Sequence, residues 1–130
     1  MEKKFLKKKV SLLVLCNINP NSVVSTMRTN IEDRVNDFKK SLPIWLSKDY
    51  FKNIILVENS NYKGELFNHL IRESDFKDNI ELIIYDGQNF DRKLGKGYGW
   101  YDQIDKVIND SNFSKFSKDS EYFVIVTGRY

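Results

Sequence analysis

The stretch Gly95–Gly99 has glycine at positions 95, 97 and 99 and a lysine, Lys96, between the first two. Glycines let backbone N–H groups approach an anion closely, and a helix N-terminus and a lysine both add positive charge. A helical pattern follows at once, formed at helix-face spacing by Trp100, Ile104, Val107 and Ile108. The stretch therefore suits a phosphate group. Taken alone, it suits a flexible loop with a helix-capping glycine equally well.

Polar residues also follow each of four apolar runs, where they could contact a ligand. They are Cys16-Asn17, Glu58-Asn59-Ser60, Asp86 and Thr127-Gly128-Arg129. Glu58 suits hydrogen bonds from a ribose hydroxyl or a base N–H, and the alternatives are a helix cap or a solvated loop residue. Lys96 and Arg129 suit a diphosphate, and the alternatives are an exposed lysine and a frayed terminus.

The apolar runs predict four strands, Val10–Cys16, Asn53–Val57, Ile80–Tyr85 and Tyr122–Val126. Helical stripes lie between them: Ile31, Val35, Phe38 and Leu42 form the first, which Pro43 is expected to end, and Leu66, Phe67, Leu70 and Ile71 form the second. The alternation predicts a three-layer α/β/α, Rossmann-like fold with a mostly parallel sheet and helices on both faces. Ligands of such sheets bind outside the carboxyl ends of the strands, near the switch in strand order.

Length and composition predict one domain spanning residues 1–130. The net charge is +3, with much of the excess at the extreme N-terminus, so a broad nucleic-acid surface is not expected. The single cysteine, Cys16, excludes an internal disulfide, suits a cytoplasmic location and is expected to be a buried thiol. The single histidine, His69, lies on the second helix away from the strand ends, which argues against a catalytic role.

The lysine-rich start, Met1–Val10, resembles an export signal only weakly, because its apolar run is short and Leu15 before the cysteine is not small. Two interpretations are open: a solvated basic tip before a buried strand, and attraction to an anionic inner-membrane surface. No stretch is long enough to span a bilayer.

A dinucleotide-binding fingerprint is the obvious rival interpretation of the glycine stretch. That fingerprint lies in the tight turn after the first strand with the spacing G-x-G-x-x-G. The stretch Gly95–Gly99 follows the third strand with a different spacing. A dinucleotide-dependent oxidoreductase is therefore disfavoured.

Three motifs together resemble a known family. The Asn-Ser-type turn Glu58–Asn61, the Gly-Lys-Gly-Tyr-Gly stretch and the segment Thr127–Tyr130 are similar to those of bacterial GT-A-type (family 2-like) glycosyltransferases of surface-polysaccharide and lipopolysaccharide synthesis. The resemblance extends from about Val10 to the end of the chain and corresponds to the N-terminal half of such an enzyme. The combination is more specific than any one motif.

The resemblance implies a nucleotide-sugar donor and a glycan or lipid-linked hydroxyl acceptor. The end of the first strand and Glu58 would face the nucleoside, Lys96 and Tyr98 would lie along the nucleotide, and Thr127 to Arg129 would lie near the diphosphate or sugar. Many such enzymes bind Mg²⁺ or Mn²⁺ through Asp-x-Asp after the fourth strand, where this chain has Thr127-Gly128-Arg129. The resemblance therefore leaves a divalent metal open, and Arg129 could neutralise the diphosphate charge in its place.

Two further departures from the family pattern concern Trp100 and the acceptor site. Trp100 stands where a small or acidic residue is typical. The acceptor-binding half and the catalytic base would follow Tyr130, so no catalytic residue is assigned. The chain alone is expected to bind nucleotide weakly at best and to transfer no sugar. It is also expected either to self-associate or to be only marginally stable. The rival hypothesis is a non-catalytic nucleotide-binding α/β module.

Overall fold

The computed structural model describes residues 10–19, 30–88, 91–109 and 120–128, without the side chains of Arg92, Gly95 and Lys96. Strands and helices alternate along the chain, as the sequence predicts. The elements are β1 (Val10–Cys16), α1 (Ile31–Leu46), β2 (Ile54–Glu58), α2 (Leu66–Arg72), β3 (Ile80–Ile84), α3 (Gly95–Asn109) and β4 (Tyr122–Thr127).

The four strands form one parallel sheet in the order β3-β2-β1-β4. Leu13 of β1 is level with Ile55 of β2 on one side and Ile125 of β4 on the other. The chain builds the sheet outward from β1 to β3 and then places β4 on the opposite side of β1. Strand order therefore reverses between β1 and β4, which is where parallel α/β sheets of the Rossmann-like class open a crevice.

Helices cover both faces of the sheet, because alternate residues of the central strands point to opposite sides. On one face Leu12, Val14 and Cys16 pack with buried residues of α1 and α2, among them Phe38 and Phe67. On the other face Leu13 and Leu15 pack with Val107 of α3. The predicted layered α/β arrangement is confirmed over the described residues.

The predicted end of α1 before Pro43 is wrong, since the helix continues through Pro43 to Leu46. Pro43 lies in the last turn, where its own carbonyl still accepts a hydrogen bond from the Ser47 N–H at 3.1 Å. Leu42 and Leu46 are both buried in the core. Burial of these two leucines on the same helix face offsets the hydrogen bond that proline cannot donate.

The predicted face of α3 is displaced. Gly99, Gln103 and Val107 are the buried positions, whereas Trp100 is 48% and Ile108 is 54% exposed. The helix also begins at Gly95, so the glycines lie inside its first two turns instead of in a preceding loop. The middle of the buried face of α3 is occupied by a polar residue, Gln103. A prediction from the spacing of apolar residues does not count this position.

Within the described residues, the helices lack the combination of length and apolar character that crossing a membrane requires.

Candidate functional site

Three amide side chains from three different loops meet at the carboxyl edge of the sheet. The Asn17 Nδ2 group donates to Asn59 Oδ1 at 2.7 Å and to Gln88 Oε1 at 3.1 Å. Gln88 Nε2 in turn donates to the carbonyl of Asn19 at 2.7 Å. We call Asn17, Asn59 and Gln88 the amide cluster. It joins the loops that follow β1, β2 and β3 at one place.

Backbone hydrogen bonds continue past the strand ends and hold these loops in register. The Asn59 N–H donates to the Cys16 carbonyl at 3.3 Å, and the Gly87 N–H donates to the Asn59 carbonyl at 2.9 Å. Ser60 and Asp86 form an isolated antiparallel bridge just beyond them. The polar groups at this edge are therefore fixed by the sheet itself.

Glu58 has an organising role that the sequence did not predict. Its side chain is fully buried, and its carboxylate accepts the backbone N–H of Ile18 at 2.9 Å, of Ser60 at 3.0 Å and of Tyr62 at 3.0 Å. The Ser60 hydroxyl also donates to it. The alternative of a solvated residue is wrong, and so is that of a helix cap, because Glu65 is the N-cap of α2. Glu58 ties the loop after β1 to the loop after β2.

Arg34 of α1 also contacts this edge, which the sequence pattern did not predict. It is buried, and its Nη1 group donates to the Asn17 carbonyl at 2.8 Å and to Asn17 Oδ1 at 3.3 Å. It thus places a positive charge directly behind the amide cluster. The sequence did contain a signal that Arg34 faces inward. Arg34 lies four residues before Phe38 and eight before Leu42, which mark the buried face of α1.

Helix α3 is anchored to the same edge by Gln103. The Gln103 Nε2 group donates to the carbonyls of Cys16 at 2.7 Å and Val57 at 3.0 Å, which lie at the ends of β1 and β2. The eight helical residues before Gln103 form the N-terminal part of α3 and span about 12 Å of helix. Gly97 and Tyr98 belong to this part and are exposed. The backbone of Lys96 also belongs to it, whereas its side chain is outside the described atoms.

Tyr85 fixes the other side of α3. Its hydroxyl donates to Asp102 Oδ2 at 2.7 Å, and the ammonium group of Lys106 lies 5.5 Å from its ring centroid. Burial, followed by the hydrogen bond and negative charge of Asp102, raises the pKa of the Tyr85 phenol well above its ordinary value. Tyr85 therefore stays protonated as a hydrogen-bond donor at neutral pH.

The remaining predicted residues differ in how accessible they are. Cys16 is buried, and desolvation together with the charge of Glu58 raises the pKa of its thiol well above the ordinary value. Gly128 is buried against β1 and α1, and its N–H donates to the Leu15 carbonyl at 2.9 Å. Asp86 and Thr127 are exposed at the edge, whereas Arg129 lies outside the described residues.

Two other features lie apart from this edge. His69 is exposed on α2, the helix on which the sequence predicts it. A cavity of about 240 Å³ lies between the C-terminal ends of α1 and α2, lined in part by Leu46, Leu70 and Phe76. Among the described residues, no three His, Cys, Asp or Glu side chains are grouped to hold a metal ion.

Comparison of the chain with protein-family models, with curated proteins and with solved structures found no match.

Proposed function

We propose that this chain binds a nucleotide-diphosphate sugar at the carboxyl edge of its sheet, as the donor-binding part of a GT-A-type glycosyltransferase of cell-surface polysaccharide or lipopolysaccharide synthesis. The reaction is transfer of the sugar to a hydroxyl of a glycan or lipid-linked acceptor, with the nucleoside diphosphate leaving. The observation that carries the proposal is the amide cluster, held by Glu58 and Arg34 beside the reversal of strand order.

The chemistry of the amide cluster supports a nucleoside at this position. Asparagine and glutamine each present a donor and an acceptor in one plane, which matches the edge of a base or a ribose hydroxyl. Asn17, Asn59 and Gln88 already hydrogen bond to one another, so their positions are set before a ligand arrives. Such preorganisation lowers the entropic cost of binding.

The diphosphate is assigned to the adjoining part of the edge. The first turns of α3 bring the N-terminal end of a helix and three glycines there, and a Cβ on Gly97 would meet nothing within 4 Å. Lys96 and Arg129 supply the charge in this proposal, in line with the resemblance of their motifs. The contribution of the protein is then orientation of the donor and electrostatic stabilisation of the departing diphosphate.

Nucleotide binding tests the proposal directly by thermal unfolding with UDP, GDP, CDP and NAD. We expect one of the three nucleoside diphosphates to stabilise the chain, by roughly 2.7 kcal/mol at about 100 times its dissociation constant. Stabilisation by NAD alone, or by none of the four, contradicts the proposal. Binding without sugar transfer by the longest chain that the reading frame encodes favours the rival hypothesis of a non-catalytic nucleotide-binding module.

A pair of variants tests the location of the site. Gln88→Ala removes one member of the amide cluster and should weaken nucleotide binding, because the hydrogen bonds of Gln88 with the Asn17 side chain and the Asn19 carbonyl are lost. His69→Ala changes an exposed residue on α2 and should leave binding unchanged. A larger loss of affinity in His69→Ala than in Gln88→Ala places the ligand elsewhere.

A further inference from the structure

Trp100 stands on the side of α3 that faces the reversal of strand order. Gln103 points at the sheet, and Asp102 and Lys106 lie on the β3 side of it, as their contacts with Tyr85 show. At about 100° per residue, Trp100 lies roughly 60° from Gln103 on the opposite side, toward β1 and β4. Ile104, one turn further along on that side, packs against the core face that contains Leu13 and Leu15 of β1.

Among the described residues, the end of β4 below Trp100 is exposed. Thr127 of β4 is level with Leu15 of β1, so its side chain points to the same face of the sheet as α3. Both Thr127 and the neighbouring Ile125 on that face are exposed. Trp100 and Thr127 thus lie on the side of β1 away from the amide cluster, where sheets of the Rossmann-like class open a crevice, and the indole is 48% exposed there.

We propose that Trp100 is a specificity-determining residue that stacks on the pyranose ring of the donor sugar. This inference rests on the proposed function. If the amide cluster binds the nucleoside over the ends of β1, β2 and β3, a donor that extends toward the strand-order reversal brings its sugar to the β1–β4 side. The C–H face of a pyranose is apolar and flat, and an indole offers a large apolar face to match it.

Tyr101 supplies a matched control on the same helix. It is also aromatic and is 66% exposed, but at about 100° per residue it lies roughly 160° from Gln103, on the side away from the sheet. If general surface aromaticity were responsible for binding, Trp100→Ala and Tyr101→Ala would have similar effects. If the crevice is the sugar site, only the first should matter.

The experiment measures dissociation constants by calorimetry for nucleoside diphosphates and for nucleotide sugars. The ligands are UDP, GDP, UDP-glucose, UDP-galactose, UDP-N-acetylglucosamine and GDP-mannose, and the proteins are the unmodified chain, Trp100→Ala, Trp100→Phe and Tyr101→Ala. For the tightest nucleotide sugar we expect Trp100→Ala to raise the dissociation constant roughly fivefold to tenfold. The value for the matching nucleoside diphosphate should stay the same, Trp100→Phe should retain most of the affinity, and Tyr101→Ala should match the unmodified chain.

A fluorescence measurement reports the same contact with Trp100 left in place. In a Trp45→Phe background Trp100 is the single tryptophan of the chain, so its emission reports on the crevice alone. We expect a larger change in emission with the nucleotide sugar than with the nucleoside diphosphate. Equal changes, equal losses of affinity for the two ligand types, or no loss in Trp100→Ala overturn the sugar contact. Absence of any nucleotide binding by the unmodified chain instead overturns the proposed function as well.

Discussion

Replacement of Glu58 by glutamine should destabilise the fold almost as much as replacement by alanine. Oε2 accepts the Ile18 and Ser60 N–H groups, at 2.9 and 3.0 Å, and Oε1 accepts the Tyr62 N–H at 3.0 Å. A glutamine has one oxygen and one NH₂ group in these two places. Whichever way the amide is turned, its NH₂ faces a backbone donor, so at least one of these hydrogen bonds is lost and replaced by repulsion.

The magnitude follows from the burial of these groups. Hydrogen bonds to a charged acceptor contribute roughly 1.5–3 kcal/mol each, and a buried donor left without a partner costs about 1–3 kcal/mol. Ile18 is fully buried, whereas Ser60 and Tyr62 are partly accessible and regain water. We therefore expect Glu58→Ala to lower the free energy of unfolding by about 3–5 kcal/mol and Glu58→Gln by about 2–4 kcal/mol. Either loss is a large part of the roughly 5–15 kcal/mol of a typical domain.

Urea unfolding followed by far-ultraviolet circular dichroism measures this difference. Asp86→Asn is the matched control, since it removes an exposed carboxylate at the neighbouring strand end and should change stability by less than about 0.5 kcal/mol. If Glu58→Gln instead keeps the stability of the unmodified chain and loses only nucleotide affinity, the carboxylate is a ligand group and the organising role assigned to it is wrong.

Four further substitutions have expected signs that follow from local geometry and from pKa. Gly97→Ala should raise the free energy of unfolding by about 0.5–1 kcal/mol, because its Cβ enters open space in a helix. Gly128→Ala should lower the free energy of unfolding by about 1–3 kcal/mol, because its Cβ would lie 2.7 Å from Phe38 Cε1. Urea titrations of both variants measure these changes. Burial, followed by the charge of Glu58, raises the pKa of the Cys16 thiol in the folded state. The contribution of this thiol to stability is therefore fully present below its unfolded-state pKa of about 8.5, and stability declines as pH rises above that value. Cys16→Ala should flatten that decline, and the thiol of the native chain should react with a disulfide reagent only as fast as the chain opens. The pKa of Tyr85 is also raised in the folded state, so its contribution to stability is lost as pH rises past about 10. Tyr85→Phe should remove that part of the alkaline loss of stability in melts recorded at a series of pH values.

The layered fold could be predicted because fully buried parallel strands are recognisable from sequence. The strands β1 and β2 are apolar at nearly every position, and both are buried on both faces in the structure. The end of α1 could not be predicted from local rules. The preference of proline against helix interiors acts locally, whereas the burial of Leu42 and Leu46 that overrides it depends on where the sheet lies.

The location of the candidate site could be predicted from the sequence, whereas the roles of its residues could not. That polar residues gather at strand ends follows from the parallel sheet, and Asn17 and Asn59 do meet there. The role of Glu58 depends on which backbone N–H groups two loops turn inward, and no spacing in the sequence encodes that. Gln103 was overlooked because periodicity counts apolar residues, whereas this side chain is buried by hydrogen bonds to two strand ends.

The outer strand β4 predicts how the chain behaves at high concentration. Its segment Tyr122–Thr127 carries no charge and no proline, and β1 is its strand neighbour in the described sheet. Ile125 is 48% exposed on the α3 face, and Val124 is exposed on the other. Apolar side chains exposed on an uncharged outer strand favour pairing with another copy, and natural edge strands commonly avoid such association with a charge, especially lysine. We therefore expect reversible, concentration-dependent self-association through β4.

Ile125→Lys tests this expectation, and Ile108→Lys is its control. Both substitutions put one lysine in place of a similarly exposed isoleucine, at 48% and 54% exposure, but the second lies on the outer side of α3. Sedimentation velocity over a hundredfold concentration range should show association of the unmodified chain and of Ile108→Lys, and a monomer for Ile125→Lys. Because the Ile125 side chain is already about half exposed to solvent, its replacement by lysine should change the stability of the monomer little. Suppression by Ile108→Lys to the same extent would mean that net charge, not the edge of β4, controls association, and a monomeric unmodified chain at every concentration would show that this edge does not pair.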